Sequence, residues 1–335
     1  MNQGGEFMNK IYKHIWSKTL GRLVIVAEGV KGGGGKKAGR RRLRAACLAT
    51  TLPTTLLSVP AWADGVLPTG GQIVSGSGSI STSGANMTVH QTTGKMIANW
   101  QSFSIGANNS ATFNQPSASS VALNRVVGQS PSEILGRLNA NGQVFLLNPN
   151  GVLIGTGAHI QTGGFVASTL GITNENFLAG NYNFTGTGGS ILNQGDIAGK
   201  VVALIAPTVT NEGTITGDAA LAGGTDVHLD FDGDGLISVT VNAATVATLV
   251  ENKGMIVADG GLAILTAKGV SEAMKGVLNN SGIIEAKTLV NKNGRLLLLA
   301  DMEHGEANVS GELKANFVET SAADVTLSRN LKVDT

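Results

Sequence analysis

The chain has 335 residues, of which 47 are glycine, 14% are charged and 4% are aromatic, so its core is expected to be built from small and β-branched side chains in many short strands. The formal charge of +1 hides an asymmetry: residues 1–63 hold 11 Lys/Arg against 2 acids and residues 64–335 hold 13 against 21, a net of −8 for the second region. That acidic balance argues against nucleic acid as the main partner, and the single cysteine, Cys47, leaves residues 64–335 with neither a disulfide nor a zinc-thiolate site.

The amino terminus reads as an address. Arg40 to Arg44 form a basic n-region, Ala45 to Val59 are uncharged, and Ala61-Trp62-Ala63 supplies an A-x-A site ahead of Asp64. Together they predict a signal peptide handled by the inner-membrane export machinery and cut by signal peptidase after Ala63. A membrane anchor would need about 20 apolar residues, more than this run provides. The segment 8–32 precedes this signal and is basic and amphipathic, with Ile11, Ile15 and Trp16 among lysines, a pattern suited to a membrane surface. Through Met8-Asn9-Lys10-Ile11-Tyr12, Trp16 and Val24 to Glu28 it resembles the extended signal region of very large autotransporters and two-partner-secretion exoproteins of Gram-negative bacteria. Met8 is then the expected biological start. The glycine run between Lys31 and Lys36 has the wrong spacing for a phosphate loop and reads as a flexible linker.

Beyond residue 64 the chain repeats itself. Residues 64–90, rich in Gly and Ser, read as an opening β segment that caps the amino end. An Asn-x-Gly-x-Ile pattern recurs at Asn193 and Gly195, Asn211 and Gly213, Asn252 and Gly254, and Asn280 and Gly282. Both residues tolerate positive φ, so each repeat is expected to mark a tight corner. Apolar runs such as Val144 to Leu147, Val201 to Ile205, Leu262 to Leu265 and Leu296 to Leu299 alternate with these corners and fit short strands covered on both faces. Irregular spacing of corners and strands predicts an all-β fold, a parallel β-helix solenoid with an amino-terminal β cap and small hairpins outside the helix. A β-sandwich would alternate polar and apolar residues more strictly. At roughly 20 residues per coil and about 4.8 Å per coil, the rod would be about 60 Å long.

Between Ile97 and Gly155 several ordered motifs stand on one chain: Trp100 to Gly106, Ala122-Leu123-Asn124-Arg125-Val126, Ile134-Leu135-Gly136, Asn141 to Phe145, and Asn148-Pro149-Asn150-Gly151, followed by Gly163 to Thr169. This region resembles the secretion domain of filamentous haemagglutinins, high-molecular-weight adhesins and haem-acquisition exoproteins, over roughly residues 65–310. The resemblance implies a right-handed β-helix and export through a dedicated outer-membrane barrel whose periplasmic domains recognise the incoming chain. It assigns Asn148 to Gly151 to the secretion signal. The expected organisation is an extended signal peptide at 1–63, a secretion domain at 64–310 and the start of further β-helix at 311–335. The leading expectation for the whole protein is an adhesin or haemagglutinin with a host-cell or neighbouring-cell receptor. The alternatives are a contact-dependent growth-inhibition toxin, a haem-acquisition exoprotein or, in a different class, a β-helix carbohydrate-active enzyme.

No hydrolase, zincin or Cys-x-x-Cys motif occurs, and the mature histidines His90, His159, His228 and His304 stand at no ligand spacing, so no catalytic role, cofactor or metal is expected. Asp230, Asp232 and Asp234 occupy the first, third and fifth places of a calcium-type loop, but Val241 stands where the closing Glu belongs. A hairpin with Asp-Gly turns accounts for the segment instead.

Amino-terminal sequencing of the secreted protein should therefore begin at Asp64. A start well before residue 55 would contradict the assigned site.

Overall fold

The computed structural model describes residues 66–231, 237–242, 246–269, 271, 274–286 and 294–334, together with the backbone of Tyr12–Ser17 and Arg22–Ala27. The chain divides into two units, Met1–Leu57 and Ser58–Thr335. In the first, Tyr12–Ser17 pairs antiparallel with Arg22–Ala27.

The second unit is a parallel β-helix whose coils each contribute up to three strands. One face runs from Asn86–Gln91 through Ser110–Asn114, Arg137–Ala140 and onward to Lys332–Asp334, joined by nine successive parallel pairings. A second runs from Lys95–Trp100 to Phe317–Ser321, and a third from Ser132–Ile134 to Asp324–Leu327. Nine steps of about 4.8 Å give a stack of about 43 Å. The expected 60 Å is too long because excursions outside the coils consume chain: corresponding corners lie 18, 41 and 28 residues apart.

The amino end is closed by Gln72–Ser75, antiparallel to Lys95–Trp100, and by Gly78–Ser83, antiparallel to Asn86–Gln91. The cap is thus shorter than the expected 64–90, since Asn86–Gln91 already forms the first parallel rank. Behind it lie three bulky interior side chains, Trp100, Phe103 and Phe113, all buried, with Trp100 edge-on to Phe103 at 5.4 Å.

Two apolar cores result. The first fills the helix interior. The second lies outside the coils, where Ile97, Leu123, Phe145, Val166 and Ile205 on the outer side of the second face are buried. Their cover is a short helix, Asn174–Ala179, and a three-stranded antiparallel sheet of Tyr182–Thr185, Asp226–Phe231 and Ile237–Val241. This explains why the apolar runs read as continuous instead of alternating. The helix was not anticipated from the sequence. Thr173 caps it by accepting from the Asn176 N–H at 3.2 Å, and Gly180 ends it at φ +87°.

The Asn-x-Gly corners hold for a different reason from the one expected. Gly195, Gly213, Gly254 and Gly282 do not adopt positive φ, nor do their asparagines. The glycines instead stack: a Cβ on Gly213 would meet Gly195 O at 2.1 Å, and one on Gly254 or Gly282 would meet the preceding glycine's carbonyl at the same distance. Beside them the buried asparagines form an amide ladder. Asn193 Nδ2 donates to Asn211 Oδ1 at 2.7 Å, Asn211 to Asn252 at 2.8 Å and Asn252 to Asn280 at 2.8 Å. The Asn193 carbonyl end also accepts from the Gly195 N–H, and the Asn280 amide also donates to Ser310 O at 2.9 Å, so both ends of the ladder are satisfied.

Two pairs of substitutions separate these roles. Gly213→Ala should cost roughly 3 kcal/mol by overpacking, while Gly94→Ala, with open space around it, should be near neutral. Asn252→Ala breaks two buried bonds and should cost about 2–4 kcal/mol, against under ~1 kcal/mol for Asn308→Ala in the exposed Asn308–Asn279 pair. Guanidinium unfolding midpoints measure all four.

Candidate functional site

The motif residues between Trp100 and Thr169 gather at the amino-terminal third of the helix, and most are tied to the fold. The Trp100 Nε1–H donates to Asn124 Oδ1 at 3.0 Å, while Asn124 Nδ2 donates to Ala122 O and Phe145 O. A buried amide thus satisfies a buried indole. Arg125 points outward. Its guanidinium donates to Ile172 O at 2.7 Å and Asn174 Oδ1 at 2.9 Å, anchoring the entry of the covering helix. Partial burial pulls its pKa below the ordinary arginine value, yet it remains cationic. At the other end of that helix Lys95 Nζ donates to Phe177 O and Leu178 O at 3.2 and 2.7 Å, where the helix dipole favours a cation. Phe177, Tyr182 and Phe184 close over Phe145, and burial pushes the Tyr182 phenol's pKa up.

The Asn148-Pro149-Asn150-Gly151 segment forms the expected β-turn, with the Gly151 N–H donating to Asn148 O at 3.1 Å. Gly151 takes the positive φ, +122°, and Asn150 does not, which rules out a type II turn. Asn148 is fully buried. Its Nδ2 donates to Ser130 O and Ser132 Oγ, both at 3.0 Å, and its Oδ1 accepts from the backbone and side-chain nitrogens of Asn150. The turn also touches both neighbouring coils: Asn148 N–H donates to Ser168 O, Gly189 N–H to Pro149 O, and Ser132 N–H to Gly151 O. Pro149 and Asn150 are the exposed members. The four residues are therefore brought together, while the corner pairs Asn193/Gly195 to Asn280/Gly282 form a separate column further along the helix.

Other expected sites fall differently. Ala61, Ala63 and Asp64 lie outside the described residues, as do Asp232 and Asp234 of the calcium-type loop. The strands flanking that loop do pair as a hairpin, and Val241 is buried beneath it. Among the described residues no group of three His, Cys, Asp or Glu could hold a metal ion, and no helix is long and apolar enough to cross a membrane. Sequence reasoning missed the roles of Lys95 and Arg125. An arginine and a lysine on otherwise apolar strands were the available signal.

A disulfide-free parallel β-helix, capped at its amino end and preceded by a signal sequence, defines a secreted solenoid of the exoprotein class. Residues 63–315 match the family model of the TPS secretion domain, and residues 8–57 match that of the extended signal peptide of the type V secretion system. The chain belongs to the two-partner-secretion exoproteins: it is exported across the inner membrane and then, through a cognate outer-membrane transporter, across the outer membrane. It is similar to two heme/hemopexin-binding proteins of Haemophilus influenzae, at 37% identity over 268 residues and 34% over 282, covering 75% of this chain in each case. The matches span 29% and 30% of those relatives' own lengths. The crystal structure of the HMW1 secretion domain from Haemophilus influenzae superposes with a TM-score of 0.60 at 28% identity, covering 80% of this chain and 83% of that one.

Proposed function

We propose that residues 64–310 are the export-directing domain of a larger haem-acquisition exoprotein, with residues 311–334 beginning further coils. The observation that carries the haem reading is the 37% identity to a heme/hemopexin-binding protein, which favours it over the adhesin and toxin alternatives. The family match over residues 63–315 supports the extent given to the export-directing domain. No enzymatic step belongs to this reading. The domain's work is to be recognised and to fold outside the cell, and capture of haem or its carrier belongs to the whole exoprotein.

Deleting the locus should abolish growth on hemopexin-bound haem as sole iron source and leave adherence to epithelial cells unchanged. Loss of adherence with normal growth would restore the adhesin reading.

Within the domain, the turn from Asn148 to Gly151 serves both the fold and the transporter. Asn148 is committed to the fold by its buried bonds, and Asn150 presents the exposed contact. With the transporter co-expressed, Asn148→Ala should lower export and cost about 1–3 kcal/mol of stability. Asn150→Ala should lower export several-fold with a loss of about 1 kcal/mol, because its bond to Gly128 O is solvent-exposed and its bond to Asn148 Oδ1 only part-buried. Secreted and periplasmic fractions measured beside melting curves decide the matter, and normal export of both variants would make the motif purely structural.

A further inference from the structure

On the outer side of the first face, near the amino end, a cleft of about 390 Å³ is lined by Asn86, Asn108, Asn109, Ser110, Arg137 and Asn139. Its floor is three parallel strands in register, with Asn86 beside Ser110 and Ser110 beside Arg137, and Thr112 beside Asn139. One wall is the tight bend 106–109, closed by the Asn109 N–H donating to Gly106 O and pinned by Asn109 Nδ2 donating to Ala85 O at 3.1 Å. The shape is therefore set by backbone pairing and by a buried asparagine, not by the exposed side chains.

Three of the lining side chains, Arg137, Asn139 and Asn86, are left with unused donors. Arg137 forms no side-chain ion pair or hydrogen bond with any described residue, and neither does the Asn139 amide. Asn86 uses its Oδ1 to accept from Ser110 Oγ at 2.7 Å, which leaves its NH₂ group facing outward. Among the described residues no acid lines the cleft. His159, the register neighbour of Arg137 on the next rank, is turned to Asp196, with Nδ1 at 3.3 Å from Oδ2.

We propose that this cleft binds a carboxylate-bearing sugar. The planar guanidinium of Arg137 matches a carboxylate bidentately, and the Asn86 and Asn139 amides with the Ser110 hydroxyl supply the mixed donors and acceptors that ring hydroxyls require. Its volume lies at the low end of ligand pockets, which run from about 300 to 1,000 Å³, and suits a single ring. A polyphosphate chain is disfavoured because the cleft offers a single arginine. An acidic peptide would offer its carboxylate to Arg137 but no array of ring hydroxyls to Asn86, Ser110 and Asn139. The site lies on the helix shaft apart from the Asn148 turn and is independent of the haem reading.

Titration of the secreted, processed chain with sodium glucuronate, followed by saturation-transfer NMR, tests the proposal. Binding is expected at roughly 1–10 mM, with acetate, glucose and the peptide Gly-Asp-Gly each at least fivefold weaker. Arg137→Gln should weaken glucuronate at least tenfold and Asn139→Ala about threefold, both with the parent's melting temperature, since neither side chain holds a partner in the fold. Acetate binding as well as glucuronate would reduce the cleft to a bare anion patch and overturn the proposal. Tighter binding of the peptide, an unaffected Arg137→Gln variant, or no saturation by glucuronate would overturn it equally.

Discussion

Coils of this protein touch closely at the corner between the third and first faces, and the rest of the stack is constrained by that contact. Parallel hydrogen bonding fixes the step at about 4.8 Å, and at this corner the backbone of one coil passes so near the carbonyl of the coil beneath that only glycine fits. A stack built this way cannot drift in register. A shifted coil would place a side chain against a carbonyl at Gly213, Gly254 or Gly282, and would separate an asparagine from its buried partner. The two devices reinforce each other, one by exclusion and the other by the cost of an unpaired buried amide.

The corner column also shows where polar residues are admissible in the interior. Read along the stack it runs Ile134, Ile154, Asn193, Asn211, Asn252, Asn280, Val309, Leu327. Apolar residues occupy both ends and asparagines the middle, where each amide has a like neighbour on at least one side. The two terminal asparagines depend on backbone groups, the Gly195 N–H and Ser310 O, to complete their bonding. An amide ladder is therefore a cooperative feature of consecutive coils, and a lone asparagine at the position of Ile134 would have no side-chain counterpart.

Much of this was legible in the sequence because it is local. Short apolar runs, the proline-containing turn and the repeating Asn-x-Gly corners each announce themselves within five or six residues. The glycines were placed correctly but explained wrongly, because a requirement for close approach and one for positive φ leave the same mark in a single sequence. The last corner was missed for a simple reason: Val309-Ser310-Gly311 keeps the glycine, whose Cβ would lie 2.2 Å from Gly282 O, but has valine in place of asparagine. The covering layer was not legible at all. Its anchors join Arg125 to Ile172 and Lys95 to Leu178 across 47 and 83 residues, and although each cation stands on an otherwise apolar strand, nothing local names the distant carbonyl it binds.

The outer core has consequences for the order in which the domain can be completed. Strands from Lys95–Trp100 to Gly164–Ser168 expose an apolar outer side until the covering elements arrive, and these come from two separate parts of the chain, Asn174–Thr185 and Asp226–Val241. The inner core asks for no such delay, since each new coil lays its interior side chains on the coil before it. Stacking begins naturally at the amino end, which is closed by antiparallel strands over Trp100, Phe103 and Phe113 and therefore needs nothing ahead of it. A chain emerging amino end first can thus bury its inner core coil by coil, while its outer core stays open until residue 241 has followed. Lys95 and Arg125 suit that sequence of events: as charged groups they are stable in water while the face is uncovered, and they become helix anchors once Asn174–Ala179 settles on it.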